Sequence, residues 1–250
     1  MADDSSIPRR GLFPTTHRSA VVAAGSDDPA ERARSFEILV RAYWRPVYKH
    51  VRLRFRRSAE EAEDLTQGFF ARSFERRDFG AYDPDRARFR TYLKTCLDRF
   101  VGKEAEGARR QKRGGGAVIL SLDFAAAERE IEIEKLEPRA RESIDSHFDH
   151  EWTRNLLATA VDALRDECAA RGKQKHFRVF ERYVLEDDPA GRPSYAALAE
   201  ELAIPITDVT NYLAFARREF RRLVLEKLRE ITATEEEFRA EATAVLGVAP

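Results

Sequence analysis

The sequence predicts an all-α fold, and three observations support that prediction. Of its 250 residues, 43% are hydrophobic and 35% are charged, whereas only 12 are Gly and 10 are Pro. This composition supplies enough apolar side chains for helical cores and too few turn residues for a loop-rich sheet protein. Hydrophobic residues recur at steps of three and four along most of the chain, as they do in amphipathic helices. Because this pattern is interrupted between two blocks, we expect two small helical domains joined by a linker.

The beginning of the chain differs in character from the segment after it. Residues 1–30 are mostly small and polar, and we expect a mobile leader there. From Glu31 an apolar stripe with the period of a helix opens a predicted first domain, which spans residues 31–113. Pro46 lies within this stripe and is expected to bend the helix or to mark a junction. The stripe contains Phe36, Leu39, Val40, Tyr43, Trp44, Val47, Tyr48 and Val51.

The next predicted helix begins with a capping box. Ser58 supplies the N-cap and Glu61 follows three residues later, so each side chain can satisfy a backbone N–H at the helix start. Phe69 and Phe70 are adjacent, and a single narrow helix face cannot bury both of them together with Gln67. The sequence therefore leaves two interpretations open for these residues, a core position and a surface that binds a partner.

The stretch from Arg86 to Arg113 is strongly basic. It contains ten Lys or Arg residues and three acidic ones, a net charge of +7, although the whole chain has 44 basic and 44 acidic residues. Such local segregation of charge favours a polyanionic partner, and nucleic acid is the first one to consider. Phe89 and Tyr92 lie among these charges, where they are either core residues or platforms for stacking unpaired bases.

An acidic stretch follows three consecutive glycines at positions 114–116. Between Asp123 and Glu151 ten acidic residues oppose four basic ones, which gives a net charge of −6. The glycines are typical of a hinge, because no GK[ST] follows them as it would in a phosphate loop. We therefore predict an acidic flexible linker over residues 114–150.

A second domain is predicted over residues 151–232, and it carries a helix-turn-helix pattern. Ser194 is expected to cap a short helix, residues 203–205 to form the turn, and a second helix to continue from there. Exposed positions of that second helix would face the major groove, and the arginines after them would hold phosphates. The alternative is a plain helical hairpin with a solvated basic end. Residues 233–250 are predicted to form a C-terminal tail or a short helix.

The sequence does not support several other classes of protein. Apolar runs are shorter than the roughly 20 residues of a membrane span, and the N-terminus lacks the order of a secretory signal, so a cytoplasmic protein is expected. Cys96 and Cys168 fit buried thiols better than a disulfide or a zinc site. His147 and His150 have no third ligand at a recognisable spacing. Without a nucleophile and base pair or a phosphate loop, we predict no catalytic residues, no metal and no cofactor.

Four segments of the chain carry a resemblance to a known family, namely AYWRPVYKHVR, AEDLTQGFFARSF, RFRTYLKTCLDRFVGKEA and the helix-turn-helix. They resemble the extracytoplasmic-function sigma factors, the two-domain promoter-recognition subunits of bacterial RNA polymerase. The resemblance covers roughly Phe36 to Leu228. The segments FPTTHRSAV and EDLTQGFF are similar to the variety of these factors with a longer leader and linker.

The resemblance implies a function for the whole chain. The protein would bind core RNA polymerase and promoter DNA, and it would direct promoter recognition, DNA melting and transcription initiation. The acidic linker would thread the polymerase near its active-site cleft. Whether an anti-sigma factor or another regulator also binds the protein is left open.

The resemblance and the motifs also assign residues to these roles. Polymerase docking is assigned to Asp64, Leu65, Gln67, Phe69 and Phe70. Binding and melting of the minus-ten element are assigned to Arg88, Phe89, Arg90, Tyr92, Lys94, Arg99, Lys103, Arg109, Arg110, Lys112 and Arg113. Binding of the minus-thirty-five element is assigned to Thr207, Thr210, Asn211, Phe215, Arg217, Arg218, Arg221 and Arg222. Family members usually place more Lys or Arg early in the recognition helix, so weak duplex affinity is expected here.

Two other hypotheses compete with this one. A helix-turn-helix transcriptional regulator that acts without polymerase would bind specific duplex DNA by itself. A sigma-like interaction module without DNA binding would tolerate charge reversal of the four arginines in the second helix of the motif. An enzyme is the least favoured class.

Overall fold

The computed structural model describes residues 19–107, 122–136, 144–186 and 191–247. Regular structure in these ranges is helical throughout, without a strand, which confirms the predicted all-α class. A short 3-10 turn spans Asp78–Ala81 and a π-helical segment spans Glu181–Leu185. The α-helices are α1 (Ala20–Ala23), α2 (Pro29–Arg54), α3 (Ala59–Arg76), α4 (Phe89–Gly107), α5 (Phe124–Leu136), α6 (Ile144–Ala170), α7 (Gln174–Phe180), α8 (Tyr195–Leu202), α9 (Ile206–Glu230) and α10 (Glu235–Leu246).

The described residues fall into two compact units. The first contains the chain up to Asn155 together with the residues from Leu228 onward, and the second is Leu156–Lys227. These boundaries lie inside α6 and inside α9, not at the predicted positions 113, 150 and 232. The observed boundaries differ from the predicted ones because parts of the acidic stretch and of the C-terminal segment pack into the first unit.

Helix α2 is the central element of the first unit. Asp28 caps it by accepting a hydrogen bond from the Ala30 N–H at 2.9 Å, and Pro29 occupies the first turn, where its missing N–H costs nothing. Pro46 lies inside the helix without ending it, so α2 runs on to Arg54. Helices α3 and α4 contact α2. The buried side chains of α2 include Phe36, Leu39, Val40, Tyr43, Val47, Tyr48 and Val51.

The described part of the predicted leader is structured. Ser19 caps α1, whose Ala20, Val21 and Ala23 are buried, and the Ser35 hydroxyl of α2 donates a hydrogen bond to the Ala20 carbonyl. The prediction of a mobile leader is therefore wrong for residues 19–30, because small apolar side chains let α1 pack closely on α2. Residues 1–18 lie outside the described residues.

Much of the acidic stretch is also structured, which corrects the prediction of a flexible linker. Phe124, Ala127 and Ile131 of α5 are buried, and the Phe124 ring lies 5.5 Å from that of Trp44 and 5.1 Å from that of Tyr48. Acidic residues of α5 and Glu151 of α6 pair with the basic face of α2. The pairs are Glu128 with Arg52, Glu130 with Arg45, and Glu130 and Glu151 with Lys49. Residues 114–121 and 137–143 lie outside the described residues.

The second unit is built from most of α6, α7, α8 and most of α9. Ser194 caps α8 by accepting a hydrogen bond from the Ala197 N–H at 3.1 Å, as the sequence predicts. Residues 203–205 form the predicted turn, in which Ala203 adopts a left-handed conformation with φ of 48°. Lys175 donates hydrogen bonds to the carbonyls of Leu202 and Ala203 at 3.1 and 3.3 Å. These bonds satisfy two carbonyl groups that have no partner within the helix at the C-terminal end of α8. The core contains Ala160, Leu164, Val179, Phe180, Leu198, Val209 and Leu213.

The C-terminal segment forms helix α10, the second of the two predicted alternatives. Thr234 caps it by accepting a hydrogen bond from the Glu237 N–H at 3.1 Å. Phe238 and Ala242 are buried, and the Arg229 guanidinium lies 4.2 Å from the centre of the Phe238 ring. Helix α10 thus belongs to the core of the first unit.

Candidate polymerase and nucleic-acid interfaces

Helix α3 presents part of the predicted polymerase-docking surface. Both hydrogen bonds of the capping box at Ser58 and Glu61 form, each at 3.1 Å, so the helix start is fixed. Asp64 is exposed, while Leu65 and Gln67 are half-buried. This arrangement leaves one carboxylate, part of one apolar side chain and one amide at the surface, a combination suited to a polar protein interface.

The other two residues of the predicted docking surface are core residues. Phe69 and Phe70 are each 2% exposed. The Phe69 ring contacts those of Phe79 and Phe100 at 6.3 and 5.8 Å, and the Phe70 ring contacts that of Phe36 at 6.2 Å. The prediction that they form an exposed surface is wrong, because α2, α4 and the 3-10 turn enclose α3 from several sides and so bury more than one narrow face.

The described part of the basic stretch lies on α4 and on the turn before it. Arg88, Arg99 and Lys103 are exposed, and Arg90, Tyr92 and Lys94 are half-buried. The exposed cations of α4 share the helix with the carboxylates of Asp98 and Glu104, which pair with His50 and Arg72. Four further predicted DNA-binding residues lie outside the described residues, namely Arg109, Arg110, Lys112 and Arg113.

The two aromatic residues that the sequence assigns to DNA melting have structural roles. Phe89 is 0% exposed, and its ring is surrounded by those of Tyr43, Phe79 and Tyr82 at 5.6, 5.8 and 5.2 Å. Phe89 therefore cannot stack on a base in this structure, which corrects its assignment to DNA melting. Tyr92 is half-buried and donates a hydrogen bond to the Asp78 carbonyl at 2.6 Å, so its ring is held in place at the edge of the core.

A carboxylate from α10 binds the first turn of the basic helix. Oε1 of Glu237 accepts hydrogen bonds from the Phe89 N–H at 2.7 Å and from the Tyr82 hydroxyl at 3.3 Å. Its Oε2 accepts one from the Ala233 N–H at 2.8 Å. A negative charge at a helix N-terminus satisfies an unpaired N–H and interacts favourably with the helix dipole.

A second carboxylate of α10 binds the arginines beside that turn. Glu241 Oε1 lies 3.1 Å from Nε of Arg90 and 3.5 Å from Nη1 of Arg88. The Arg90 side chain is only 12% exposed, because Asp149 lies 3.6 Å from it and the Trp152 ring lies 4.9 Å beneath its guanidinium. Burial raises the pKa of the Glu241 carboxyl, the two arginines lower it, and the net pKa is above its ordinary value.

Sequence reasoning missed Glu237 and Glu241. The sequence contains a local signal for helix α10, namely Thr234 followed three residues later by Glu237, and apolar residues at 238 and 242. It contains no local signal for the partner of that helix, because about 150 residues separate Glu237 from Phe89 in the chain.

In the second unit, the first turns of α9 expose the residues predicted to face the major groove. Thr207, Thr210 and Asn211 are exposed. Phe215 is half-buried, with the Lys173 ammonium 3.8 Å from the centre of its ring. The His176 ring stacks on that of Tyr212 with centroids 3.7 Å apart, and burial together with the nearby Lys173 lowers the His176 pKa. The contacts of His176 and Lys173 thus hold one side of α9, and the Thr and Asn side chains on its other positions remain exposed to solvent.

The four arginines that follow on α9 divide into two pairs. Arg217 and Arg218 are exposed, whereas Arg221 and Arg222 are half-buried. The Arg222 guanidinium lies 2.7 Å from Glu167, 3.0 Å from Glu219 and 2.6 Å from Glu226. Because these carboxylates already surround Arg222, the exposed pair is better suited to phosphate contacts.

The described residues give no sign of two other kinds of site. They contain no group of three or more His, Cys, Asp and Glu side chains that could hold a metal ion. Within the described ranges, none of the helices combines the length and hydrophobicity that crossing a membrane requires. Cys96 and Cys168 are free thiols, and burial raises the pKa of both.

Comparison with known proteins yields one match. Residues 39–111 match the family model of sigma-70 region 2. No curated protein and no solved structure matches the chain. The matched segment is less than a third of the chain, and its described part covers most of α2, all of α3, the 3-10 turn and α4. The match supports a relative of the sigma-70 factors, which are transcription initiation factors. The matched segment contains both the α3 residues that the sequence assigns to polymerase docking and the described cations of α4.

Proposed function

We propose that this chain is a sigma factor of the extracytoplasmic-function type, which acts in the cytoplasm. It binds core RNA polymerase and directs promoter recognition, DNA melting and transcription initiation. One observation carries the proposal: the segment that matches sigma-70 region 2 also exposes three of the predicted DNA-binding cations, Arg88 in the turn before its last helix and Arg99 and Lys103 on that helix. All bond-forming chemistry then belongs to the polymerase, and this chain supplies binding and positioning.

Polymerase docking is assigned to the outer face of α3. Asp64 offers an exposed carboxylate, and Leu65 and Gln67 flank it as half-buried side chains. Phe69 and Phe70 keep a positioning role, because their burial fixes α3 against its neighbours. An exposed charge beside a partly buried apolar residue matches the boundary between the rim and the core of a protein interface.

Holding of the opened strand is assigned to the exposed cations of the basic stretch. Arg88, Arg99 and Lys103 lie along the same stretch as α4, which spans about 28 Å at 1.5 Å per residue. Contacts between such cations and backbone phosphates release counterions, so each contact adds about 0.7 to the salt slope of single-strand binding. The assignment predicts binding to single-stranded DNA that weakens steeply with salt.

Upstream duplex binding is assigned to the second unit. The exposed Thr207, Thr210 and Asn211 lie in the first two turns of α9, the part of a recognition helix that contacts base edges. Arg217 and Arg218 follow as exposed phosphate contacts, which position the helix without reading the sequence. Because the base-contacting residues are uncharged, the affinity for duplex DNA depends on core polymerase holding the protein at the promoter.

The first test measures binding to core polymerase from the source organism. The full chain is expected to co-elute with core polymerase in gel filtration. Asp64→Arg is expected to weaken that complex at least about tenfold, since it reverses a charge in a polar interface. Glu75→Arg is the matched control, because it makes the same charge change on an exposed side chain of α3 about 16 Å further along the helix.

The second test measures transcription. Core polymerase with the full chain is expected to produce transcripts with defined 5′ ends on sheared genomic DNA, and core polymerase alone is not. Failure to co-elute together with the absence of such transcripts would refute the proposal. Specific duplex binding by the chain alone, unchanged by Asp64→Arg, would instead support a regulator that acts without polymerase.

A further inference from the structure

Helix α10 covers part of the surface to which single-stranded DNA binding is assigned above. Its Glu237 accepts a hydrogen bond from the Phe89 N–H at 2.7 Å, and its Glu241 lies 3.1 Å from Arg90 and 3.5 Å from Arg88. Backbone N–H groups at a helix start together with arginine side chains are the groups that bind phosphate in many proteins. In this structure two carboxylates occupy these phosphate-binding groups.

The covering contact combines charge with apolar anchoring. Phe238 is 1% exposed and Ala242 is 0% exposed, so α10 is anchored in the core by apolar residues next to Glu237 and Glu241. The segment before it is anchored as well, because the Thr232 hydroxyl donates a hydrogen bond to the Leu228 carbonyl at 2.8 Å. These contacts place α10 at the start of α4 in one defined orientation.

The covering contact is also imperfect. Glu241 is 2% exposed, and its Oε2 has no hydrogen-bond partner among the described residues. A buried carboxylate oxygen without a partner destabilises the covered state, so releasing this carboxylate into water costs less free energy than releasing a fully hydrogen-bonded one. Arg90 would remain bound to Asp149 and stacked on Trp152 after such a release, so the basic site would persist without α10.

We propose that α10 is an autoinhibitory helix whose Glu237 and Glu241 occupy phosphate-binding positions at the start of α4. The helix must move away before the opened DNA strand binds there. The inference rests on the proposed function, since it concerns regulation of the same DNA-binding surface. The free chain then exists mainly in a covered state. Its apparent affinity for single-stranded DNA is the affinity of the uncovered state multiplied by the fraction of molecules that are uncovered.

The test compares two double variants of the full chain that have the same net charge. Glu237→Gln with Glu241→Gln removes the charges that face α4, and Glu235→Gln with Glu236→Gln removes two charges from the same helix. Glu235 pairs with Arg229 and Arg239 at the surface, and Glu236 is exposed. General attraction to DNA therefore rises equally in both variants, and any difference between them reports the covering contact.

The probe is a short fluorescein-labelled single-stranded DNA of mixed sequence, and the measurement is its anisotropy at fixed low salt. The Glu237 and Glu241 double variant is expected to bind about tenfold more tightly than the Glu235 and Glu236 double variant, within the range usual for coupled sites. Equal affinities of the two variants would overturn the inference.

Hydrogen exchange of the unmodified chain supplies a measurement that does not depend on how a variant folds. Saturating single-stranded DNA is expected to speed amide exchange in residues 235–246, because α10 leaves its site. Unchanged or slower exchange in this helix with DNA bound would overturn the inference.

A further pair of variants separates failure of the inference from failure of the proposed function. Arg99 and Lys103 are exposed and have no contact with α10 among the described contacts, so their replacement by Gln tests DNA binding alone. If transcription depends on them while the two Glu double variants bind DNA equally, only the inference fails. If it does not depend on them and no variant binds single-stranded DNA, the proposed function fails and the inference fails with it.

Discussion

Replacing Lys49 by Met tests whether the acidic stretch is part of the core of the first unit. The Lys49 side chain is 0% exposed, and its Nζ lies 2.6 Å from Glu151 and 3.0 Å from Glu130. Burial lowers the pKa of Lys49, but the hydrogen bonds and charges of the two glutamates raise it more, so its net pKa is above its ordinary value. The ion pairs of Lys49 therefore stabilise the folded state fully at neutral pH. This stabilisation is lost only as the pH rises above about 10.4 and through the folded pKa of Lys49.

The expected cost follows from what the substitution leaves behind. Removing one partner of a buried ion pair costs about 3 to 5 kcal/mol, because the remaining charge is buried without compensation. Here Glu151 keeps Arg154 at 3.2 Å and Glu130 keeps Arg45 at 2.8 Å, so part of the negative charge stays paired. We therefore expect Lys49→Met to lower the free energy of unfolding by about 3 kcal/mol, at the lower end of the usual range.

Urea denaturation of the full chain, followed by the fluorescence of Trp44 and Trp152 in the first unit, measures this change. Arg41→Met is the matched control, since Arg41 lies on the same helix in an exposed pair with Glu37, and its cost is expected to be below about 0.5 kcal/mol. The double variant Lys49→Met with Glu151→Met is expected to be more stable than Lys49→Met alone, because no buried carboxylate is then left without its lysine. A Lys49→Met variant as stable as Arg41→Met would refute the claim that Lys49 forms buried ion pairs with Glu130 and Glu151.

Three further predictions concern the core, a helix cap and acid stability. Phe69→Ala is expected to lower the free energy of unfolding by about 3 to 5 kcal/mol, whereas Asp64→Ala on the surface of the same helix is expected to change it by less than about 0.5 kcal/mol. Ser58→Ala is expected to cost about 1 kcal/mol by removing the cap of α3, measured in the same denaturation assay. The hydrogen bond from Arg222 holds the pKa of Glu219 below its ordinary value, so the stability from this carboxylate is present above about pH 4.3 and is lost as the pH falls through the folded pKa. The difference in unfolding free energy between the unmodified chain and Glu219→Gln, followed by the circular dichroism of the helices because both Trp residues lie in the first unit, is therefore expected to be larger near pH 6 than near about pH 3.

Each of these predictions has an outcome that contradicts it. Phe69→Ala and Asp64→Ala variants of equal stability would contradict the burial of the Phe69 ring. An unchanged free energy of unfolding in Ser58→Ala would mean that the capping box contributes nothing to α3. A Glu219→Gln difference that grows toward acid pH would contradict the sign of the pKa shift.

Local patterns in the sequence predicted the local structure well. The capping box at Ser58 and the turn at residues 203–205 both form as expected, because each depends on groups within a few residues of one another. The same holds for the helical class, since the hydrophobic period is a property of short windows.

Features that depend on distant partners were not predictable in the same way. The acidic charge of residues 123–151 indicated a solvated linker, but Glu128 and Glu130 pair with basic residues of α2 about 80 positions earlier in the chain. The charge count within one window cannot show such neutralisation. Phe89 was ambiguous for the same reason, because the rings of Tyr43, Phe79 and Tyr82 come together around it only in the fold.

The central claim is that the cations of the basic stretch hold an opened DNA strand while core polymerase initiates transcription. Permanganate footprinting of a promoter identified by 5′-end mapping measures that opening directly. The triple variant Arg88→Gln, Arg99→Gln and Lys103→Gln is expected to lose the reactive thymines of the bubble. A control with Arg34, Arg41 and Arg54 of α2 replaced by Gln, which removes the same charge from exposed positions, is expected to keep them. Promoter opening by the first triple variant at the level of the unmodified chain would contradict the claim.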